Sequence, residues 1–219
     1  MIRKNYPGGQ IYSYLALRKA IGWIAILLPF VMMLGVFLVF SGKITLYTIS
    51  MYYYSGMRDV FVGALCAIGL FLLFYQGYDK WDDWLGNIAG VCAICIAWFP
   101  TSKIEPLDWH GKIHFIAAIV FFLTLACFSL FLFTRKDTDP TPRKLKRNKI
   151  YILCGVVMLV CLLAIMIYFQ FFQESLPHTS FVFWAETLAL VAFGISWLTK
   201  GGGILPDRRN EKGDWRKSA

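Results

Sequence analysis

Six apolar runs, each 16 to 23 residues long and separated by short polar segments, constrain this 219-residue chain more than any other feature. They cover Ile21–Phe40, Val60–Tyr75, Trp84–Phe99, Ile113–Phe133, Ile150–Phe172 and Phe181–Leu198. A helix needs about 20 apolar residues to cross a bilayer. The chain is 58% hydrophobic and only 16% charged, against roughly 25% charged in soluble domains. A soluble core of this length has no room for that much apolar surface. The expected fold is therefore all-α: a polytopic integral membrane protein of six transmembrane helices.

The charges set the expected orientation, because Lys and Arg collect on the cytoplasmic side. Six spans place Arg3, Lys4, Arg18, Lys19, Lys80, the seven basic residues of "RKDTDPTPRKLKRNK" and the six from Lys200 to Lys217 on one face. Only Lys43, Arg58, Lys103 and Lys112 of the 22 fall on the other. Both termini are expected in the cytoplasm. Residues 1–20 form an N-terminal segment, 21–199 the helical domain and 200–219 a C-terminal tail. The stretch Tyr12–Trp23, mixed apolar and basic, is expected to lie at the interface and then turn into the first span. The first span is too long and starts too late for a signal peptide. Pro140 and Pro142 are expected to break any helix through the basic loop. The net charge of +9 reads as topology, with no nucleic-acid partner implied.

All six cysteines lie inside apolar runs, so no disulfide framework is expected, and "CAIC" at Cys92–Cys95 reads as packing. Gly63, Gly86, Gly90 and Gly194 read as small residues at helix contacts, and Asn87 as an interhelical hydrogen-bonding group.

The chemistry gathers on the non-cytoplasmic side. His110, His114 and His178 fall there with Asp59, Asp108 and Glu186. His110 and His114 are four apart, on one face of a helix. That is the spacing at which two imidazoles hold a metal ion, with His178 or Asp59 as a third ligand and zinc as the possible metal. Asp108 or Glu186 would orient an imidazole from behind. Asp59, Asp108 and Glu186 are the candidate catalytic acids. Glu186 lies one to two turns inside the sixth run, where an ionisable group needs a partner or a polar cavity. Arg58 is the expected charge partner and His114 the second. Arg58, Asp59, His114 and Glu186 together make the expected outer-facing polar pocket. "LYTISMYYYSGMRD" reads as an interfacial tyrosine belt or a lid over that pocket. Ser50 and Ser55 within it have no base identifiable from sequence.

The stretches "TISMYYYSGMRDVFVGALCAIGLFLL", "NIAGVCAICIAWFPTS", "IHFIAAIVFF" and "FWAETLALVAFGISWLTKGG" together resemble an uncharacterised bacterial family of small six-span membrane proteins. It is of the domain-of-unknown-function type and similar to the Frag/DRAM-like proteins. The resemblance runs from the second span onward and implies a six-helix fold in a bacterial cytoplasmic (inner) membrane. In that family a histidine often follows the tyrosine pair, where this chain has Tyr54. A more distant similarity is to the ceramidase-like and adiponectin-receptor-like intramembrane hydrolases, which use a Ser, an Asp and three His around zinc. Asp59, His110, His114 and His178 match those residue types, although chain order and span number differ. The leading functional expectation is a protein that binds membrane lipids or a membrane-protein partner, or serves as an accessory subunit. A zinc-dependent lipid hydrolase and a channel or transporter are the alternatives.

Overall fold

The computed structural model describes residues 8–39, 46–77, 79–102, 108–135, 140–177 and 179–206, with side chains from Tyr14 onward. Among these residues the chain is all-helical. Its helices are α1 (Gly8–Val39), α2 (Arg58–Leu73), α3 (Lys80–Trp98), α4 (Trp109–Cys127), α5 (Pro142–Ile167) and α6 (Phe181–Lys200). A 3₁₀ turn, Ser50–Tyr54, lies between α1 and α2, and α4 and α5 each continue as one π turn, Phe128–Leu132 and Tyr168–Phe172.

Four helices are long and apolar enough to cross a membrane: Tyr14–Val39, Trp109–Leu132, Pro142–Phe172 and Phe181–Lys200. The second and third apolar runs are helical as expected but fall short of that mark. α2 has only 16 residues, and α3 is diluted by Asp82, Asp83 and Asn87. α1 runs without a break from Gly8, so the expected turn before the first span is absent. Pro142 does not interrupt a helix; it opens one. It occupies the first turn of α5, where the missing N–H has no intrahelical partner to lose. Thr141 caps that turn by accepting from the Lys144 N–H at 3.1 Å.

Each helix packs on its chain neighbour, and α6 closes the ring against α1 and α5. α6 is the most enclosed of the four long apolar helices, with 61% of its apolar window buried. Its C-terminal half carries Trp197, which is fully buried. Phe71, Tyr75, Phe128, Phe133 and Phe193 surround the indole at centroid distances of 5.3–5.9 Å. These rings come from α2, its C-terminal extension, the end of α4 and α6 itself. The Ser129 and Ser196 hydroxyls, both buried, bond across α4 and α6 at 2.7 Å.

Two glycine pairs let backbones touch. A Cβ on Gly194 would stand 2.5 Å from the Gly22 carbonyl, and one on Gly90 would stand 2.7 Å from the Gly69 carbonyl. Gly86 likewise abuts the Leu72 carbonyl, whereas Gly63 faces open space and packs on nothing. Asn87 is exposed rather than turned into a helix contact. Gly194→Val is expected to force α1 and α6 apart at a cost of about 1–3 kcal/mol. A thermal melt in detergent reads this directly, and an unchanged midpoint would contradict the contact.

The six cysteines are free thiols within the helices. One end of the bundle is tied by Arg135, which bonds Asp79 at 2.8 Å and the buried Asp82 at 3.0 Å. At the same end Arg143 and Arg147 donate to the Pro206 and Leu205 carbonyls. Arg135, Arg143 and Arg147 thus tie this basic stretch to the start of α3 and to the segment after α6. The opposite end holds the site.

Candidate functional site

The segment 46–57 folds over the second end of the bundle and is held from three directions. The Phe183 N–H of α6 donates to the Tyr47 carbonyl at 3.0 Å. The Tyr54 hydroxyl donates to the Thr101 carbonyl at 2.7 Å, between α3 and α4. The Ile49 N–H donates to Glu186 Oε2 at 2.6 Å. A 3₁₀ turn suits this path, because three residues per turn send successive side chains about 120° apart, to different walls. The tyrosine triplet is accordingly divided. Tyr52 is buried, 6.0 Å by centroid from Phe183, Tyr53 is half-buried against the core, and Tyr54 is exposed.

Ser50 opens the turn, and its hydroxyl lies 2.8 Å from His114 Nε2. The other ring nitrogen, Nδ1, lies 2.7 Å from the Phe99 carbonyl. A carbonyl only accepts, so Nδ1 carries the hydrogen, and Nε2 of the neutral ring accepts from the Ser50 hydroxyl. Ser50 and His114 are both buried. His114 comes from the second turn of α4, Phe99 from the C-terminus of α3 and Ser50 from the covering segment.

These groups form the polar wall of a cleft of about 70 Å³, completed by Thr48, Thr101 and Glu186. Its other wall is apolar: Phe115, Ala118, Ile119 and Phe122 from α4, and Leu162, Ile165, Met166 and Phe169 from α5 and its π turn. Met166 and Phe169 are 46% and 37% exposed, so the apolar wall continues onto the outer surface of the bundle between α4 and α5. Among the described residues, no Lys or Arg lines the cleft.

The expected polar pocket separates into two. His114 and Glu186 share the cleft, but Arg58 and Asp59 line a different, shallower hollow beside Tyr53 and Trp98. Arg58 donates to the Tyr53 hydroxyl at 2.6 Å and lies over the same ring, 4.3 Å from its centroid. It is therefore not the partner of Glu186, whose partner is a backbone N–H. A charge-pairing argument from sequence has no access to backbone donors.

Asp108 is the N-cap of α4. It accepts from the Ser102 hydroxyl at 2.6 Å and the Gly111 N–H at 2.7 Å. Those two donors, the hydroxyl first, hold its carboxyl below the ordinary carboxylate range. A carboxylate so occupied is a helix cap, not an acid in the cleft.

The metal-ligand expectation finds no geometry to support it. His110 lies against the Trp109 ring at 3.5 Å and has Asp108 at 3.9 Å, while both nitrogens of His114 are engaged elsewhere. His178 lies outside the described residues. Among the described residues no three His, Cys, Asp or Glu gather as a metal-binding group. The residue that sequence reasoning undervalued is Ser50. Its hydrogen-bond partner His114 sits 64 positions away, and only the fold brings the two together.

Comparison with protein-family models, with curated proteins and with solved structures gives no match for this chain. The site must speak through its own chemistry.

Proposed function

We propose that this chain is a six-span protein of a bacterial cytoplasmic membrane, with both termini inside, that binds an amphiphile in the cleft between α4, α5 and α6. The observation that carries this reading is the cleft's two-sided lining. Five polar residues, Thr48, Ser50, Thr101, His114 and Glu186, face eight apolar ones, and the apolar wall emerges on the bundle surface. A lipid has the same division, and an opening between helices would admit it sideways from the bilayer. Among the described residues, the lining holds no Lys or Arg as counter-charge for a phosphate headgroup. An uncharged headgroup rich in hydroxyl or carbonyl groups fits better.

The asymmetry of Lys and Arg supports both termini inside and the cleft on the outer half. α2 and α3 count as spans in this reading although they are short. At 1.5 Å per residue they reach about 24 and 28 Å, near the roughly 30 Å hydrocarbon thickness. Packing against neighbours buries Asp82 of α3, while Asn87 stays exposed. The reading agrees with the resemblance to six-span membrane proteins.

Native mass spectrometry of the detergent-purified protein tests the proposal. The wild type is expected to carry a single neutral lipid. Ala118→Phe places a ring into the cleft and is expected to weaken retention about tenfold, equivalent to about 1.4 kcal/mol. Equal retention by the two proteins, each with an intact melt, would remove the cleft as the binding site.

A further inference from the structure

We infer that Ser50 and His114 are a nucleophile–base pair that cleaves the ester of an uncharged acyl amphiphile held in the cleft, a reading that rests on the amphiphile site above. Three features of the geometry point there. The Ser50 hydroxyl is 2.8 Å from Nε2, inside the 2.6–3.2 Å reach of a working serine–histidine pair. The imidazole is fixed in the tautomer that such a pair needs, by the Phe99 carbonyl on Nδ1 at 2.7 Å. That carbonyl occupies the place a carboxylate holds in a triad. The pair also lines a cleft whose opposite wall is apolar, as a site for an acyl chain requires.

A purely structural hydrogen bond would need none of this access. Here Ser50 and His114 line the cleft beside two further hydroxyls, Thr48 and Thr101. The Thr48 oxygen accepts from the Met51 N–H at 3.1 Å, which leaves its own hydrogen for another acceptor. In this reading those two hydroxyls would serve as donors to the oxyanion that forms during attack. Glu186 acts at one remove. By holding the Ile49 N–H it fixes the residue next to Ser50, and it is a positioning residue.

The chemistry balances with water as the only co-reactant. Ser50 Oγ bonds to the ester carbonyl carbon while its proton passes to His114 Nε2. The carbonyl–alkoxy bond breaks, and the departing alkoxide takes that proton and leaves as an alcohol. Water then attacks the acyl-Ser50 carbon and gives a proton to Nε2. The bond from that carbon to Ser50 Oγ breaks, Oγ recovers the proton, and a carboxylic acid departs. A backbone carbonyl stabilises the imidazolium less than a carboxylate does, so acylation is expected to outrun turnover.

The test uses the full-length protein in detergent and an alkyl fluorophosphonate. Attack by Ser50 Oγ displaces fluoride and leaves a stable phosphonyl adduct that peptide mass spectrometry locates. The wild type is expected to gain one adduct, on Ser50. Ser50→Ala should gain none, and His114→Asn should label at least about 10²-fold more slowly, the usual contribution of a general base. A wild type that stays unmodified while a control serine hydrolase reacts overturns the pair, and that result needs no variant to fold. Labelling elsewhere, or of Ser50 at an undiminished rate in His114→Asn, overturns it equally. Native mass spectra of the same preparation separate the two readings. Retained lipid without labelling removes the nucleophile and keeps the binding site. Labelling of Ser50 without lipid, at the same rate in Ala118→Phe, removes the amphiphile as substrate.

Discussion

Trp197→Ala is expected to be the most damaging single substitution in the bundle, with a loss of about 3–5 kcal/mol. The indole is completely buried and touches rings from α2, α4 and α6. Four of its neighbours, Phe71, Tyr75, Phe128 and Phe133, belong to other elements, so truncation leaves a hole that no single helix can close by moving. Lipid does not refill it, because the surrounding residues are themselves buried. Trp197→Phe keeps most of the volume and should recover more than half of the loss. The detergent melting midpoint, followed for all three proteins, gives the ranking. Equal midpoints for Ala and Phe would show that this cluster does not set the stability.

The helices were legible because bilayer-scale apolar runs admit few other folds. The C-terminal ends of α6 and of α5 with its π turn fall within two residues of the ends of the apolar runs. The errors share one cause. A run of hydrophobicity marks what lipid or core touches, not where hydrogen bonding begins. α5 therefore starts at Pro142, eight residues before its apolar run, because Thr141 and Pro142 make a good helix start out of a basic segment. α1 starts at Gly8 for the same reason: a mixed basic stretch still forms a helix.

The site was legible in its composition and not in its pairings. His114 and Glu186 stood out as polar groups just inside apolar runs, and both line the cleft. Arg58 and Asp59 stood out equally and line another surface hollow. The i, i+4 rule brings His110 and His114 onto one side of α4, yet one lies on Trp109 and the other reaches Ser50. What decides is the covering segment, whose course is set by backbone bonds to Tyr47, Ile49 and Thr101. No pattern of side-chain types records those bonds.

Glu186→Ala is the second large effect, and it separates a positioning role from a merely polar one. Ile49 is buried, and its N–H has the carboxylate as acceptor at 2.6 Å. Removing that acceptor leaves a buried donor unpaired, at a cost of roughly 2–3 kcal/mol. The loss falls on the segment that presents Ser50, so its consequence exceeds the change in melting. Ser50 should drift from His114, and fluorophosphonate labelling should fall by about 10²-fold, comparable to loss of the base itself. Glu186→Gln supplies the control. Its amide oxygen can still accept from Ile49, so both the melt and the labelling should stay near wild type. If Gln fails as badly as Ala, the carboxylate does something the hydrogen bond to Ile49 does not explain, and Glu186 then belongs among the groups that meet the ligand. If Ala melts and labels like the wild type, the covering segment is held without Glu186. The bonds at Tyr47 and Thr101 would then be sufficient to seat Ser50 beside His114.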